Sequence, residues 1–517
     1  PQVVPQVGTY GGDARLEATA QGRVGILFYR AHYLAGNTMP IEALCQALRE
    51  RHLHPVPVFV SSLREPETQA DVFAILQPKD APAVDLVLNT TSFAIASFTP
   101  ASSHPPAHLW SQLNVPVLQV ILSSSTVAQW QTQLRGLTPR DMAMNVALPE
   151  VDGRIITRAV SFKAVQTHNA RLETDVVTYE PVVDRIQFVA ELAANWVKLR
   201  RTPVAQRKIA IVLANYPTRD GRLANGVGLD TPASVVEILQ ALQQAGYTLG
   251  DIPQTSDALI QQLTATVTND PEGQSLRPVQ QWVSFADYAD YFATLPEMVQ
   301  RGIGDRWGDL EAIHNSQFTI HNSDQSLVSL TAFPIAGIQL GHIFVGIQPA
   351  RGYDQDPALN YHAPDLEPTH AYLAFYDWLK TQFGAQAIVH VGKHGNLEWL
   401  PGKGIALSET CYPEVALGAL PHLYPFIVND PGEGAQAKRR SQAVIIDHLT
   451  PPMTRAELYG SLQQLEHLID EYYEAQSLDP SRLDLIRDRI TQLLQQESLA
   501  SDLAFAGQAA GRRQRVE

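Results

Sequence analysis

The run from His390 to Lys403, HVGKHGNLEWLPGK, gathers two histidines, a glutamate, two lysines and three glycines. Neutral imidazole and carboxylate bind borderline divalent metals or carry protons near neutral pH, so His390, His394 and Glu398 are candidates for either task. The His-x-x-x-His spacing is not the helical zinc-protease motif, because Val391 stands where that motif has glutamate and a loop replaces the helix. Structural roles compete with the chemical ones. Glu398 can pair with Lys393 or Lys403, and His390 can bond to backbone.

A loop of this kind needs a rigid support. The preceding Ala387-Ile388-Val389 is apolar and largely β-branched and predicts a buried strand, and loops at strand ends commonly carry function. Gly392, Gly395 and Gly402 allow positive φ or close backbone approach, and Pro401-Gly402 marks a second turn. Upstream, a helix after Pro368 sets Tyr372, Phe375, Tyr376, Leu379 and Phe383 on one face and His370 and Asp377 on another. Ten of the 16 histidines fall between His314 and His467, which ranks this half of the chain first. Cys411 reads as a buried free thiol.

The fold class is α/β, with two parallel-sheet units. In the first, residues 23–125, strands at Val24 to Tyr29, Val56 to Val60, Asp85 to Asn89 and Val117 to Leu122 alternate with helices from Met39 to Arg51 and near Glu67 to Ile75. Residues 1–22 form an N-terminal extension. Residues 126–207 read as a mixed α+β connector, with a hairpin around Asp152-Gly153 and a helix from Val182 to Lys198. The second unit, 208–452, opens with a strand at Ile209 to Ala214, then the loop YPTRDGRLANGVGLDTP and a helix with Thr231 as N-cap, Pro232 at N1 and Gly246 at its end. A C-terminal helical hairpin, 453–500, begins at the capping box Thr454-x-x-Glu457, its second helix starting at Asp479-Pro480. Residues 501–517 read as a disordered tail.

At 517 residues the chain can bury substantial cores. Its 38 basic and 53 acidic side chains give a net charge of -15 with no basic stripe, which argues against nucleic acid as a partner. Two cysteines, Cys45 and Cys411, are too few for a disulfide framework and point to a cytoplasmic protein. No stretch approaches the roughly 20 apolar residues that membrane insertion needs.

From Gly404 to Pro452 the sequence continues GIALSETCYPEVALGALPHLYPFIVNDPGEGAQAKRRSQAVIIDHLTPP. Together with HVGKHGNLEWLPGK it resembles the CobN/magnesium chelatase family, which holds the large subunits of the cobalt- and magnesium-inserting enzymes. The resemblance extends to RVGILFYRAHYLAGNTMP from Arg23, NYPTRDGRLANGVGLDTPASVVEILQALQQAGY from Asn215 and QPARGYDQDPALNYHAPDLEPTHAYLAFYDWL from Gln348. VGKHGNLEWLPGK and PFIVNDPGEGAQAKRR follow the cobalt branch, that of the cobaltochelatase large subunit CobN. Members of the family are longer, and the sequence reads as a fragment of one.

The resemblance implies an ATP-dependent metal chelatase of cobalamin biosynthesis, inserting Co2+ into hydrogenobyrinic acid a,c-diamide. ATP and Mg2+ would act at separate AAA+ type ATPase subunits, in keeping with the absence of a P-loop at Gly392-Lys393 and Gly402-Lys403. The alternatives are a magnesium or nickel chelatase subunit acting on another tetrapyrrole, or a non-catalytic tetrapyrrole-binding protein. Insertion requires bases facing the ring, which makes Glu398, His394 and His390 the catalytic candidates, with His394 and Glu398 also as transient metal ligands. The substrate's carboxylates require local cations, for which Arg219, Arg222, Arg351, Lys393 and Lys403 are candidates. Lys438-Arg439-Arg440 reads as a solvated helix face, and Gly432-x-Gly434-x-x-Ala437 as a weak nucleotide signature.

Overall fold

The computed structural model describes residues 3–11, 20–95, 109–171, 173–215, 219–226, 229–272, 277–310, 318–321, 327–330, 332–352, 363–392, 395–426 and 431–446, with 465, 467–469, 471–472, 475 and 482–496 beyond them. Two units divide the chain, Pro1–Asp447 and His448–Glu517. In the second unit the described helix is Leu483–Gln496; the capping box at Thr454 and the start at Asp479-Pro480 lie outside the described residues, as does the tail.

The first unit contains two large sheets. A seven-stranded sheet runs in the order β1-β3-β2-β4-β5-β6-β7. Its strands are β1 (Val7–Thr9), β2 (Gly22–Tyr29), β3 (Leu53–Val60), β4 (Leu86–Asn89), β5 (Val117–Leu122), β6 (Ile155–Asn169) and β7 (Thr174–Pro181). The five inner strands are parallel, and β1 and β7 pair antiparallel at the edges. β2 is an almost uninterrupted apolar run because both its faces are covered. Helices α1 (Met39–Glu50) and α3 (Val183–Arg201) pack Ile41, Leu44, Ile186 and Val189 against Val24, Ile26 and Phe28, while α2 (Pro66–Leu76) packs Val72 and Leu76 on the other side against Leu27 and Val87. Each such apolar side chain contributes about 1.5–3 kcal/mol on burial.

The segment read as a connector thus supplies two strands and a covering helix, and the N-terminal stretch supplies β1. The turn at Asp152-Gly153 joins a short helix to β6, and the β6–β7 hairpin turns instead beyond Asn169.

After β8 (Ile209–Leu213) come two short antiparallel pairs, β9 (Gln281–Ser284) with β12 (Ala332–Ile335), and β10 (Phe318–His321) with β11 (Leu327–Leu330). β8 belongs to a six-stranded sheet with β13 (Gly337–Leu340), β14 (Ile343–Ile347), β15 (Ala387–Val391), β16 (His422–Pro425) and β17 (Val444–Ile446), ordered β13-β14-β8-β15-β16-β17. All neighbours are parallel except β13 and β14. Helix α4 (Thr231–Gln244) covers one face with Val235, Val236 and Leu239, and α5 (His370–Thr381) covers the other with Phe375, Tyr376 and Leu379. Asp230, not Thr231, caps α4, its carboxylate accepting from Ala233 N at 3.0 Å, because the helix starts one residue earlier than the Thr-Pro pair suggests.

In both sheets the chain leaves one strand toward one side and then crosses to the other. In the second sheet this happens around β8, whose neighbours are β14 and β15. The loops after β8 and β15 therefore diverge at their carboxyl ends, the place where open α/β sheets bind ligands.

Candidate functional site

β15 carries the polar loop to this point. His390, next to last on the strand, is 2% exposed and hydrogen-bonded at both ring nitrogens. His422 Nδ1 lies 2.9 Å from the Ser441 carbonyl, which only accepts, so that nitrogen carries the proton and His422 Nε2 accepts from His390 Nδ1 at 2.7 Å. His390 Nε2 is left to accept from the Tyr376 hydroxyl at 2.9 Å. Tyr376 in turn accepts from Gln348 Nε2 at 2.8 Å. Both imidazoles are thereby fixed as neutral tautomers. Burial pushes His422 down to about 4, and burial together with the facing His422 holds His390 well below the usual imidazole range.

Gln348, just beyond β14, connects this chain of bonds to the loop. Its Oε1 accepts from Asn396 N at 3.1 Å, while Asn396 Oδ1 accepts from the Tyr372 hydroxyl at 2.7 Å and its amide donates to the Pro349 carbonyl at 3.2 Å. Glu398 sits on a 3-10 turn, Leu397–Trp399, and is 1% exposed. Its Oε1 accepts from the Tyr424 hydroxyl at 3.3 Å, and Tyr424 also accepts from Gly395 N.

Arg440, at the end of α7 (Pro431–Arg440), fastens the rest of the loop. Its guanidinium donates to the carbonyls of Glu398, Leu400 and Lys403 at 2.5, 2.7 and 3.1 Å. The reading of Lys438-Arg439-Arg440 as a solvated face fails here, because the helix end turns inward: Arg440 is 9% exposed and Arg439 makes a two-pronged pair with Glu150 at 3.0 and 2.8 Å. Gly402 adopts φ +143°, and a Cβ there would meet Cys411 Cβ at 2.8 Å.

The remaining candidates are spread more widely. Lys393 and His394 lie outside the described residues. Lys403 Nζ donates to the carbonyls of Gln131 and Gln133 at 3.2 and 2.9 Å and lies 4.3 Å from the Trp130 ring centroid, so it joins the loop to the segment after β5. Arg351 is fully buried, with donors on the Ala363 and Leu366 carbonyls at 2.8 and 3.0 Å. Arg219 pairs with Asp270 at 3.3 Å and Glu272 at 2.6 Å, and Arg222 is exposed on the loop after β8. Among the described residues no group of three or more His, Cys, Asp or Glu side chains is arranged to hold a metal.

Sequence reasoning missed His422, Tyr424, Gln348 and Arg440. A signal existed for the first two: His422 and Tyr424 are two apart in a short apolar stretch and, read as a strand, share a face.

The loop is also clamped from the first sheet. Trp130 Nε1 donates to the Ala406 carbonyl at 3.0 Å, and Arg158 on β6 forms a buried ion pair with Glu414 on α6 (Tyr412–Leu417). Burial raises the Glu414 carboxyl while Arg158 opposes the rise.

Fold and site together define an α/β protein with a polar loop, rooted in buried hydrogen bonds, at the crossover point of a mostly parallel sheet. The family model for CobN/Magnesium Chelatase matches residues 1–517, and the chain belongs to that family. It is 53% identical over 479 residues to the aerobic cobaltochelatase subunit CobN of Sinorhizobium sp, covering 93% of this chain and 36% of that protein. With the protein of the same name from Pseudomonas aeruginosa the identity is 48%, covering 98% and 40%. The corresponding magnesium-chelatase protein of Rhodobacter capsulatus is 30% identical, covering 93% and 40%. The solved catalytic subunit of cobaltochelatase from Mycobacterium tuberculosis superposes with a TM-score of 0.72 at 38% identity, covering 98% of this chain and 41% of that one. The chain thus spans 36 to 41% of the length of these relatives.

Proposed function

We propose that this chain is the tetrapyrrole-holding part of an ATP-dependent cobaltochelatase large subunit, acting where Co2+ enters hydrogenobyrinic acid a,c-diamide in cobalamin biosynthesis. The observation that carries the reading is the identity of 53 and 48% to two proteins named for cobalt, against 30% to one named for magnesium. ATP and Mg2+ belong in this reading to separate AAA+ type subunits, and the assembly works in the cytoplasm. No described helix is long and apolar enough to cross a membrane. The domain reading becomes two α/β units followed by a helical hairpin, the first unit taking in the N-terminal strand and residues 126–207 that complete its sheet, and the second spanning 208–452.

The chemistry follows from what the loop residues can do. Two pyrrole N-H protons must leave as the metal enters, and the metal, as substrate, must exchange water for ring nitrogens. Glu398 is the carboxylate at the crossover point and serves as proton acceptor, with His394 as its companion and both as passing metal ligands. His390 has both nitrogens engaged, so it takes a proton only after its bond to Tyr376 opens; at rest it orients the loop through Gln348. Arg222 on the loop after β8 and Lys393 are the cations for ring carboxylates, since Arg351, Arg219 and Lys403 already serve carbonyls or carboxylates of the protein.

The test titrates the chain with hydrogenobyrinic acid a,c-diamide and, in parallel, protoporphyrin IX, following ring absorbance, then adds ATPase subunits and Co2+, Mg2+ or Ni2+. Corrinoid binding with cobalt insertion that falls in Glu398→Gln supports the proposal. Insertion of magnesium or nickel in preference to cobalt, or binding without insertion by the full-length protein, overturns it.

A further inference from the structure

The first sheet has a crossover point of its own, at β2, whose neighbours β3 and β4 follow it on opposite sides. A cavity of about 370 Å³ opens there, between Tyr29 at the end of β2 and the turns after β3 and β4. Pockets for small ligands span about 300–1,000 Å³ and favour this position in α/β sheets, so the cavity takes a small molecule or one edge of a larger one.

Its walls combine one net positive charge with apolar surface. Among the described residues the charged side chains lining it are Arg64 and Arg154. Arg154 is 2% exposed, its charge is met by Asp152 at 2.6 Å, and its Nε is buried with no hydrogen-bond partner among the described residues. Arg64 is exposed at the rim; its Nε reaches the Ala94 carbonyl at 3.4 Å and its guanidinium lies 5.6 Å from the Phe93 ring centroid. Phe93 holds φ +66°, a region bulky residues rarely adopt, and such strain gathers at ligand clamps. Ser61 and Ser62 also line it, and the Ser62 hydroxyl accepts from Arg64 N at 3.2 Å.

We propose that this cavity binds a single carboxylate carried on a small, flat apolar body, with Arg64 pairing the carboxylate in a fork and Phe93, Leu63 and Ile95 receiving the body. One guanidinium without a carboxylate partner among the described residues matches a monoanion better than a phosphate dianion. Nothing in the chelatase reading uses this cavity, and the proposal does not rest on that reading. The carboxylate can belong to a free small acid or to a side chain of a tetrapyrrole.

Isothermal titration of the chain with benzoate is the test, beside inorganic phosphate, Arg64→Gln and Ser62→Leu, the last chosen to fill the cavity. The expected result is saturable one-site benzoate binding, weakened at least about tenfold in Arg64→Gln and removed in Ser62→Leu, with phosphate silent. Repeating the titration with hydrogenobyrinic acid a,c-diamide present separates the sources: competition assigns the carboxylate to the ring, and independent binding assigns it to a free acid. Absence of benzoate binding, a dissociation constant unchanged in Arg64→Gln, or phosphate binding in its place overturns the proposal. Arg64 is at the surface, so its variant keeps the test decisive where Ser62→Leu fails to fold. A failure of the chelatase reading would leave the benzoate result intact.

Discussion

The pair His390 and His422 makes a pH dependence that can be worked through. In the unfolded chain both imidazoles titrate near 6.5, while burial lowers His422 to about 4 in the fold. A depressed imidazole means that the unfolded state binds the extra proton first as pH falls. The fold therefore keeps its full stability above about pH 6.5 and loses it progressively down to about pH 4. Between pH 7 and pH 5 the loss from His422 alone is about 2 kcal/mol, approaching about 3 kcal/mol below its folded value. His390 is displaced in the same direction and adds to the loss. Glu414, raised by burial, acts oppositely, so wild-type slope alone does not isolate the pair. His422→Gln does, because it keeps an acceptor for His390 and removes the His422 titration together with its share of the His390 shift, while groups elsewhere cancel in the comparison. Urea unfolding followed by far-UV circular dichroism at pH 7, 6 and 5 should show wild type losing about 2 kcal/mol more than the variant. Equal losses in the two proteins would refute the neutral, buried assignment of His422.

Tyr376→Phe removes the hydroxyl shared by His390 and Gln348 and should cost about 2–4 kcal/mol in urea unfolding at pH 7, since two buried polar groups lose a partner. Arg158→Met removes the ion-pair partner of the buried Glu414, leaving only its bond from Gln442, and should cost about 3–5 kcal/mol by the same assay, and the double variant with Glu414→Leu should recover much of it. Arg440→Met deprives three loop carbonyls of their donor, so limited proteolysis should begin to cut between Leu397 and Lys403 where wild type resists. Glu398→Gln should lower the cobalt insertion rate of the reconstituted enzyme about 10²–10⁴-fold while leaving the circular dichroism spectrum unchanged.

The strands and helices that surround the site were legible because each burial pattern is local. Continuous apolar runs gave β2, β5 and β8 within a few residues, and the helical periodicity after Pro368 gave α5 with Tyr372 and Tyr376 on the face that reaches the site. What escaped was assembled by pairing across the sheets. Nothing local places His422 beside His390, because that neighbourhood arises only when β16 pairs with β15. Arg440 looked like part of a basic surface because its helix is short and polar, and its partners are carbonyls, which leave no mark in side-chain composition. The β6–β7 strands were hidden for a different reason: β7 and the outer half of β6 are largely exposed and lack the apolar alternation that marks a half-buried strand. The hairpin signal at Asp152-Gly153 was real turn chemistry attached to a helix end.

Gly136 passes so close to the chelatase loop that a Cβ on it would lie 2.0 Å from the Ile405 carbonyl oxygen, and it does so at φ +89°. With Lys403 and Trp130 gripping the same stretch, backbone from the first sheet meets backbone from the second with no side chain between to absorb movement. Close packing of this kind has little room to yield, so the position of the loop is tied to that of the segment after β5.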